Sequence, residues 1–315
     1  MISVKAYDPS LEDLWNGIVA NSKNGTFLID RNFMDYHKDR FCDASLLFFN
    51  EKGKAIAALP ANYDDESKTV WSHQGLTYGG LICAKDISAT QVFEALDLAL
   101  DHYRNMGAMT LNYKPIPYIY NTYPCEEDLY YLFRHDAKLI SCGISQTICL
   151  NNPIKLKESR KSGLRKAAQN EIQIAESHDI EEYWKILADT LMACHAAKPV
   201  HSAEELKLLM SRFPEQIKLY AANSKDGKML AGTIIFDFGE TIHTQYMAAS
   251  EEGKQKGALD MLIECMISEV YADRQYFDFG ISTEQNGHIL NEGLLFQKES
   301  FGGRSVCYNI WQLNL

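Results

Sequence analysis

One pattern of segments occurs twice along the chain, at an interval of about 165 residues, and this repetition restricts the fold more than any other feature. The first copy contains, in order, EKGK (51–54), GLTYGGL (75–81), MTLNYKPIP (109–117), YYLFRHDAKL (130–139) and SCGISQTICL (141–150). The second copy contains KDGK (225–228), TQYMAAS (244–250), YFDFGIS (276–282), LLFQKESFGG (294–303) and SVCYNIWQL (305–313). Each copy is typical of a strand, hairpin, strand, helix, strand, helix, strand unit. We therefore predict a pseudo-symmetric pair of α/β domains, residues 1–150 and 151–315, with a cleft between them that holds the chemistry.

Length and composition agree with two globular domains. The 315 residues are 46% apolar and 23% charged, which is enough for a full core in each half. No apolar run approaches the ~18 residues of a membrane helix, and the first residues lack a basic segment followed by an apolar one, so we expect a cytoplasmic protein without a membrane span. The eight cysteines form no CxxC pair and no metal-ligand spacing with histidine, which predicts reduced, buried thiols and no metal site.

The charge distribution is acidic except in one segment. The formal charge of −11 is spread over both halves and argues against a general nucleic-acid-binding protein. The run KLKESRKSGLRK departs from this character, with basic residues at Lys155, Lys157, Arg160, Lys161, Arg165 and Lys166. A dense positive segment in an acidic protein predicts a local anionic partner.

Apolar periodicity and capping signals predict the elements of both halves. In the first half they predict helices at Leu11–Ala20, Arg31–Arg40 and Val92–Asn105 and strands at Ser45–Asn50 and Ala55–Tyr63. In the second half they predict strands at Lys218–Ala222, Leu230–Phe238, Thr241–Ala248, Tyr276–Ile281 and Val306–Leu313. The helices of that half are predicted from the basic run to Asn170 and at Glu181–Ala196, Ala203–Arg212, Lys256–Tyr271 and His288–Ser300. After the loop AAKPVHS, Ser202 and Glu205 form a capping box.

The segment HTQYMAAS followed by EEGKQKGALDMLIEC is the best candidate for a phosphate site. A glycine-bearing loop that opens a helix directs free backbone N–H groups and a partial positive charge outward. Lys254, Lys256 and Gly257 would hold a pyrophosphate there. The alternative is an ordinary strand-to-helix turn with solvated lysines. The first copy has no glycine at the corresponding place, so a cofactor would bind to the second copy.

The strand YFDFGIS carries an aspartate, Asp278, in apolar surroundings. The period-two alternation of a strand points Asp278 away from the flanking phenylalanines, either toward the cleft or toward a partner in the core. A buried structural carboxylate and a catalytic one are both consistent with this pattern. Ser282 and Glu284 follow at the carboxyl end of the strand, where open α/β sheets bind their ligands.

Other candidate residues lie in a loop, on a strand and on the last helix. His201 stands beside the helix cap at Ser202 and is either a ligand-binding residue or a neighbour of the cap. His243 and Tyr246 are three apart, so alternation places them on opposite faces, with Gln245 on the face of His243. The last helix carries Glu292 and Lys298 among apolar residues and ends in a Gly-Gly-Arg segment with Arg304, which can meet an anion or a carboxylate. Amphipathic packing also explains most of that helix.

The sequence lacks several motifs of common enzyme classes. It contains no G-x-S-x-G elbow, no G-x-x-x-x-G-K-[ST] loop, no G-x-G-x-x-G segment and no His/Cys cluster with metal spacing. A phosphate-loop hydrolase, a dinucleotide oxidoreductase and a zinc enzyme are therefore all disfavoured.

The duplicated unit, the glycine-bearing turn after a central strand and the string DFGIS…NEGLLFQKESFGGR resemble the FemAB-like branch of the GNAT acyltransferase superfamily. The likeness spans nearly the whole chain and is strongest from Lys225 to Leu313. It implies an α/β (α+β) fold of two tandem GNAT-like domains, each a mixed twisted sheet flanked by helices. It also implies transfer of an acyl or aminoacyl group to an amine. The 4′-phosphopantetheine or tRNA end of the donor would lie between two splayed strands, Thr241–Ala248 and Tyr276–Ile281.

The resemblance also implies which residues bind the donor. The GNAT pyrophosphate loop usually reads [Q/R]-x-x-G-x-[G/A], and the best match here is Lys254–Leu259, which departs at its first and last positions. The donor-binding residues would be Met247, Ala248, Lys254, Lys256, Gly257 and Ala258.

Roles in the transfer step follow from the same resemblance. An amine must be neutral to attack, the oxyanion needs hydrogen-bond donors, and the leaving thiolate needs a proton. Backbone N–H groups near Met247 would bind the oxyanion, Asp278 or Glu292 would act as the base, and Tyr246 as the acid. The substrate-binding residues would be Arg160, Arg165, Lys166, His201, His243, Gln245, Ser282, Glu284, Lys298 and Arg304.

Three functions remain open at this point. The first is an N-acyltransferase that uses acetyl-CoA or another acyl-CoA and modifies an amine of a small molecule, an amino sugar or a cell-envelope precursor. The second is an aminoacyl-tRNA-dependent transferase, although residues 155–212 offer no long helical arm of the kind that such members carry. The third is a non-catalytic module whose donor site is lost.

Overall fold

A computed structural model describes residues 2–195 and 199–315, and these form two compact units. The first unit comprises the chain up to Ile144 together with Thr283–Ile289 and Cys307–Leu315. The second unit comprises Ser145–Ser282 and Leu290–Val306. The last predicted residue of the helix Glu181–Ala196, and the start of the loop AAKPVHS, lie outside the described residues.

The first unit consists of short strands with helices on the outside of its sheets. Its strands are β1 (Ser3–Ala6), β2 (Cys42–Asp43), β3 (Leu46–Phe49), β4 (Ala55–Leu59), β5 (Asn62–Asp64), β6 (Thr69–Trp71), β7 (Ile82–Cys83), β8 (Thr110–Tyr113) and the first part of β9 (Lys138–Cys149). Its α-helices are α1 (Glu12–Asn21), α2 (Arg31–Met34), α3 (Ala89–Asn105) and α4 (Glu127–Arg134). The predicted helix 31–40 is α-helical only to Met34 and continues as a 3₁₀-helix over Asp35–Arg40.

The longest helix of this unit, α3, shows how the sequence pattern builds the core. Ser88 caps the helix and exchanges hydrogen bonds with Gln91, which satisfies N–H groups at the helix start. Val92, Leu96 and Leu100 recur at helical spacing on the buried face. That face packs in one core with the strands of the antiparallel sheet ordered β1-β3-β4-β7.

The parallel strand pair of the first unit, β6 and β8, stays closed at its carboxyl ends. The Ser72 N–H donates to the Asn112 carbonyl at 2.9 Å, and the Lys114 N–H donates to the Ser72 hydroxyl at 2.7 Å. The segment GLTYGGL (75–81), which the repeat aligned with a central strand of the second copy, is irregular here, so that part of the alignment is wrong. The physical reason is close packing, because a Cβ on Gly79 would lie 2.0 Å from the Ser72 carbonyl oxygen.

The second unit is built on longer strands. Its helices are α5 (Glu158–Gln169), α6 (Ile180–His195), α7 (Ala203–Arg212), α8 (Glu251–Lys256), α9 (Ala258–Cys265) and α10 (Glu292–Ser300). Its strands are β10 (Gln173–Ser177), β11 (Ile217–Asn223), β12 (Met229–Asp237), β13 (Thr241–Ala249) and β14 (Tyr276–Ile281). The remaining strands of the chain are the short β15 (Thr283–Glu284) and β16 (Ile289–Leu290) and the final β17 (Arg304–Asn314).

The sheet of the second unit has a single parallel pair among its described strands. Strands β10 to β13 are antiparallel neighbours in chain order, β13 pairs with β14 in parallel, and β14 pairs antiparallel with the end of β9. Helix α9 packs its buried residues Ala258, Leu262 and Ile263 into the core beneath β11 and β12. The predicted capping box is present, since the Glu205 N–H donates to the Ser202 hydroxyl and the Ser202 N–H to the Glu205 carboxylate.

Two predictions about the whole chain have structural outcomes. Cys83 and Cys125 are buried, but Cys42, Cys149 and Cys307 are exposed, so the expectation of uniformly buried thiols is wrong. Cys42 lies in β2, both of whose residues are exposed, and Cys149 is the last residue of β9, just beyond its buried stretch. Across the described ranges, no helix combines the length and the apolar character that crossing a bilayer requires.

Candidate active site

The parallel strands β13 and β14 separate after three paired positions. They are in register from Thr241 opposite Tyr276 to His243 opposite Asp278, after which β13 continues to Ala249 and β14 to Ile281. The pairing of both strands with their other neighbours is irregular at this point. In β13 an extra residue, Gln245, shifts the register against β12, and in β14 the pairing with β9 shifts where Gly280 takes a φ of +75°. A bulge of this kind bends its strand and ends local pairing, which opens a gap in the sheet.

A pocket of about 440 Å³ occupies this gap, and we call it the β13–β14 pocket. It lies within the second unit. Its lining residues are Leu187, Thr190, Leu191, Thr244, Gln245, Tyr246, Met247, Ala248, Ala249, Lys254, Leu259, Phe279, Leu294, Gln297 and Lys298. Eight of these fifteen residues are apolar, and the others carry hydroxyl, amide or ammonium groups, a mixture that suits a small organic ligand.

The bulge overturns the predicted faces of β13. Phe236 pairs with His243 and Ile234 pairs with Tyr246, and these two residues of β12 are two apart and share a face. His243 and Tyr246 are therefore on the same face of the sheet, and the prediction of opposite faces is wrong. Gln245 and Tyr246 both line the β13–β14 pocket, which strict alternation would forbid.

Asp278 lies in the core at the point where the strands separate. Its carboxylate is fully buried and accepts hydrogen bonds from the Ser145 hydroxyl at 2.5 Å and the Thr147 hydroxyl at 2.7 Å, and it is 2.8 Å from His243 Nδ1. Burial raises the pKa of this carboxyl, but the bonds from His243, Ser145 and Thr147 outweigh burial and lower the pKa below its ordinary value. Asp278 is thus a buried carboxylate that orients the His243 ring.

Lys298 brings a buried cation to the wall of the pocket. The residue is only 3% exposed, and its Nζ donates to the carbonyls of Gly280 and Ile281, both at 2.8 Å. Burial lowers its pKa to about 8, against a smaller opposite effect from the negative charge of Asp278. At neutral pH the side chain is mostly protonated and holds the bent end of β14.

Tyr246 and His201 form a hydrogen-bonded pair at another wall. The Tyr246 hydroxyl is 2.8 Å from His201 Nδ1 and also accepts from the His201 backbone N–H at 3.3 Å. Trp184 packs edge-on against the Tyr246 ring at a centroid distance of 5.9 Å. Burial raises the pKa of Tyr246, so the phenol stays protonated at neutral pH and can donate a proton.

The lysines of the predicted phosphate loop are engaged with glutamates. Lys254 pairs with Glu251 at 2.6 Å, and Lys256 pairs with Glu252 at 2.7 Å. Lys228 approaches the same Glu252 at 2.6 Å. The loop itself is helix α8, which Ser250 caps through the Gly253 N–H, so the predicted open loop is a short helix.

Gly257 lies between α8 and α9 and is packed against another helix. Its φ is +75°, and a Cβ there would lie 2.2 Å from the carbonyl oxygen of Gly163 in α5. A Cβ on Gly163 would in turn lie 1.8 Å from an oxygen of Asp260. Arg160 forms an ion pair with Asp260 at 2.5 Å, so one cation of the basic run is neutralised by a carboxylate in the first turn of α9. These contacts explain both glycines by helix packing.

The other predicted residues lie away from the pocket lining. Ser282 is buried and donates to Gln146, whereas Glu284 and Glu292 are exposed. Arg304 is exposed and donates to the Gly303 carbonyl at 2.6 Å. On α5, Arg165 and Lys166 are exposed, and Arg165 pairs with Glu158 at 2.7 Å. Of the predicted residues, the pocket lining contains Gln245, Tyr246, Met247, Ala248, Lys254 and Lys298.

Several lining residues had no sequence prediction. Leu187, Thr190 and Leu191 belong to α6, whose apolar periodicity indicated a helix but not its neighbour. Thr244 and Gln297 lie in the repeated segments TQYMAAS and LLFQKESFGG, but nothing in those segments indicated that their side chains line a pocket. The Thr244 hydroxyl is buried and has no hydrogen-bond partner among the residues that the structure describes.

Comparison with known proteins agrees with this geometry. Residues 155–286 match the family model of the acetyltransferase (GNAT) domain. Among solved structures, FemX superposes with a TM-score of 0.70 at 10% identity over 99% of this chain and 97% of its own. L-PGS from Bacillus licheniformis gives 0.63 at 11% identity, over 98% of this chain and 93% of its own. A tandem GNAT protein from the clavulanic acid biosynthesis pathway gives 0.54 at 11% identity, over 100% and 98%. No curated protein matches the sequence.

The class defined by fold and site is a mixed α/β protein of two tandem GNAT-like units, as the sequence predicted. Residues 155–286 thus match a GNAT acetyltransferase domain, and the chain as a whole shares its fold with FemX, L-PGS and the tandem GNAT protein. The domain match supports an enzyme of the acyltransferase class.

Proposed function

We propose that this protein is an N-acyltransferase that binds the activated acyl end of its donor in the β13–β14 pocket and transfers the acyl group to an amine. The observation that carries the proposal is the separation of β13 from β14 after His243 and Asp278, with a pocket in the gap. In the first unit the corresponding parallel pair is closed by Ser72 and Lys114. This contrast supports the second unit as the one that would bind the donor.

The strand register directs one backbone N–H group toward the gap, where it would donate a hydrogen bond to the oxyanion. The Ser250 N–H donates to the Leu230 carbonyl at 2.9 Å, and the pairs that follow along the strand include Ala248 opposite Gly232 and Tyr246 opposite Ile234. Because hydrogen-bonded pairs alternate in an antiparallel ladder, the Met247 N–H points away from β12 and toward the gap. A fixed N–H group in a site that excludes water stabilises the negative oxygen of a tetrahedral intermediate.

The acid-base roles follow from burial and hydrogen bonding. Tyr246, whose pKa burial raises, would protonate the leaving group, with His201 at 2.8 Å to restore its proton. Asp278 is held by three side chains and is better suited to orient His243 than to meet the substrate. The buried ammonium of Lys298 adds positive charge at the pocket wall, where it would stabilise the oxyanion.

The donor that we propose is an acyl thioester, acetyl-CoA or another acyl-CoA, held mainly by its acyl and pantetheine part. The lysines Lys254 and Lys256 are paired with glutamates, and Gly257 is packed on α5, so the usual pyrophosphate contacts are weak here. Acceptors of the proposed type are amines of small molecules, amino sugars or cell-envelope precursors.

Isothermal titration with acetyl-CoA and with S-acetylpantetheine tests this proposal. We expect the two dissociation constants to agree within about tenfold. An exposed pair between a lysine and a phosphate of the nucleotide is worth at most ~1 kcal/mol, and forming it would break an existing Lys–Glu pair of similar strength. Lys256→Met should leave both constants nearly unchanged. Met247→Pro, which removes the N–H on the gap side, should abolish transfer while binding persists. Absence of binding by both thioesters would contradict the acyl-thioester proposal.

A second candidate is an aminoacyl-tRNA-dependent transferase, since the resemblance includes members that use that donor. The close packing of Gly257 favours this second candidate, because the aminoacylated end of a tRNA has no pyrophosphate that must bind at this loop. Binding of aminoacyl-tRNA that weakens steeply with salt, together with no response to acyl thioesters, would support this candidate over the first.

A further inference from the structure

The charged side chains that line the β13–β14 pocket are both cationic. Among the described residues, its charged lining side chains are Lys254 and Lys298, and no carboxylate belongs to the lining. Lys254 is 43% exposed and pairs with Glu251 outside the pocket. Lys298 is 3% exposed, and its partners are two backbone carbonyls, so its positive charge dominates the interior.

The carboxylate that acts on Lys298 does not cancel this charge inside the pocket. That carboxylate is Asp278, which is fully buried and is committed to His243, Ser145 and Thr147. Asp278 is not part of the pocket lining. A ligand cation would therefore meet the ammonium of Lys298 without a negative partner of its own.

The remaining polar groups of the lining suit an uncharged or anionic ligand. The Thr244 hydroxyl is buried and has no partner in the described part of the chain, so it can hydrogen-bond a ligand atom. Gln245 and Gln297 each add an amide that both donates and accepts hydrogen bonds, and neither brings a negative charge to offset Lys298. The aliphatic walls, with Leu187 and Leu294, fit a hydrocarbon segment.

We propose that the β13–β14 pocket selects acyl groups by charge, accepting an uncharged or anionic acyl group and excluding a cationic one. This inference rests on the proposed function, because it concerns the acyl group that the same pocket would hold. It separates simple and carboxylated acyl donors, which the pocket would take, from aminoacyl donors that carry a protonated amine.

Two non-hydrolysable probes of the same shape test the selection. One is N-(2-acetamidoethyl)-3,3-dimethylbutanamide, and the other replaces its quaternary carbon with nitrogen, which gives a trimethylammonium group charged at every pH. We expect the cationic probe to bind about 100-fold more weakly in an NMR titration, since like charges a few ångströms apart repel strongly at an effective dielectric constant near 20. A succinyl amide of the same amine should bind at least as well as the neutral probe.

Variants assign the selectivity to one side chain. Lys298→Met, which keeps length and removes charge, should bring the two dissociation constants within about fivefold of each other. Lys254→Met is the matched control and should keep the full discrimination, because its cation is paired and solvated. Should Lys298→Met fail to fold, the three probes on the wild-type chain still give the answer.

Each outcome bears on a different proposal. Equal binding of the neutral and cationic probes, or tighter binding of the cation, overturns the charge selection while the acyl pocket stands. Discrimination that survives in folded Lys298→Met overturns the role of Lys298. Binding of neither neutral nor anionic probe overturns the acyl pocket itself, and the charge selection with it.

Discussion

Replacement of Gly257 by alanine measures whether helix packing or ligand approach requires this glycine. The φ of +75° costs an L-residue about 1 kcal/mol or more, because its Cβ approaches the following carbonyl. The new Cβ would also lie 2.2 Å from the Gly163 carbonyl oxygen, a backbone atom that moves only with α5. Forcing an extra carbon into such a contact costs about 1–3 kcal/mol. We expect Gly257→Ala to destabilise the second unit by roughly 2–5 kcal/mol in total.

Gly227→Ala is the matched control for this experiment. Gly227 has a similar φ of +86° but nothing within 4 Å of its Cβ position, so only the conformational cost of about 1 kcal/mol applies. Urea unfolding, followed by tryptophan fluorescence and circular dichroism, gives the two changes in unfolding free energy from the shift in midpoint at constant slope. If Gly257→Ala costs no more than Gly227→Ala, then α5 does not press on Gly257, and the loop is open to a phosphate after all.

Three further predictions concern stability. Asp278→Asn should lower the unfolding free energy by about 3 kcal/mol at pH 7, because it breaks the charged hydrogen bond to His243. Since the pKa of Asp278 is lowered in the folded state, this difference should shrink in thermal melts as the pH falls below the ordinary carboxyl pKa of about 4. A cost that does not change with pH would contradict an ionised Asp278. Lys298 has its pKa lowered to about 8 in the folded state, so burying its ammonium opposes folding as long as the side chain is protonated in the folded and the unfolded protein. The stability of the wild type relative to Lys298→Met should therefore rise from pH 8 to pH 10, by up to ~3 kcal/mol. A flat profile would show that the ammonium is solvated. Ser202→Ala should lower the unfolding free energy by about 1 kcal/mol by urea titration, as should Ser88→Ala with its equivalent cap, and no effect of either would refute the capping boxes.

Local signals were sufficient for the elements that depend on their own residues. The helix Ala203–Arg212 and the strand Tyr276–Ile281 have the predicted bounds. The capping box marks where the helix begins, and the apolar run marks the extent of the strand. The repeat indicated two similar α/β units, and the resemblance to the FemAB-like branch implied that they have the tandem GNAT fold, which the solved structures support. Asp278 was left open between a core partner and a cleft, and its burial among Ser145, Thr147 and His243 gives it the core position.

The faces of β13 could not be read in this way. Period-two alternation put His243 and Tyr246 on opposite faces, but the bulge at Gln245 exists only because β13 is matched against β12. The same limit applies to Lys254 and Lys256. Their glutamate partners lie within four residues in the sequence, but whether a lysine binds its glutamate or a phosphate depends on the three-dimensional positions of these groups.

The sequence by itself predicted a two-unit α/β architecture and the strand pair that holds the candidate site, and its resemblance to FemAB-like GNAT proteins implied the tandem GNAT fold. Periodicity, capping and repetition are properties of neighbouring residues, so they survive without knowledge of any distant contact. The tertiary structure alone decided where that strand pair opens, that Lys298 is the buried charge beside the opening, and that Gly257 packs against Gly163. These features depend on residues that are far apart in the chain, and their desolvation and close approach are fixed only when the sheet and its helices are assembled.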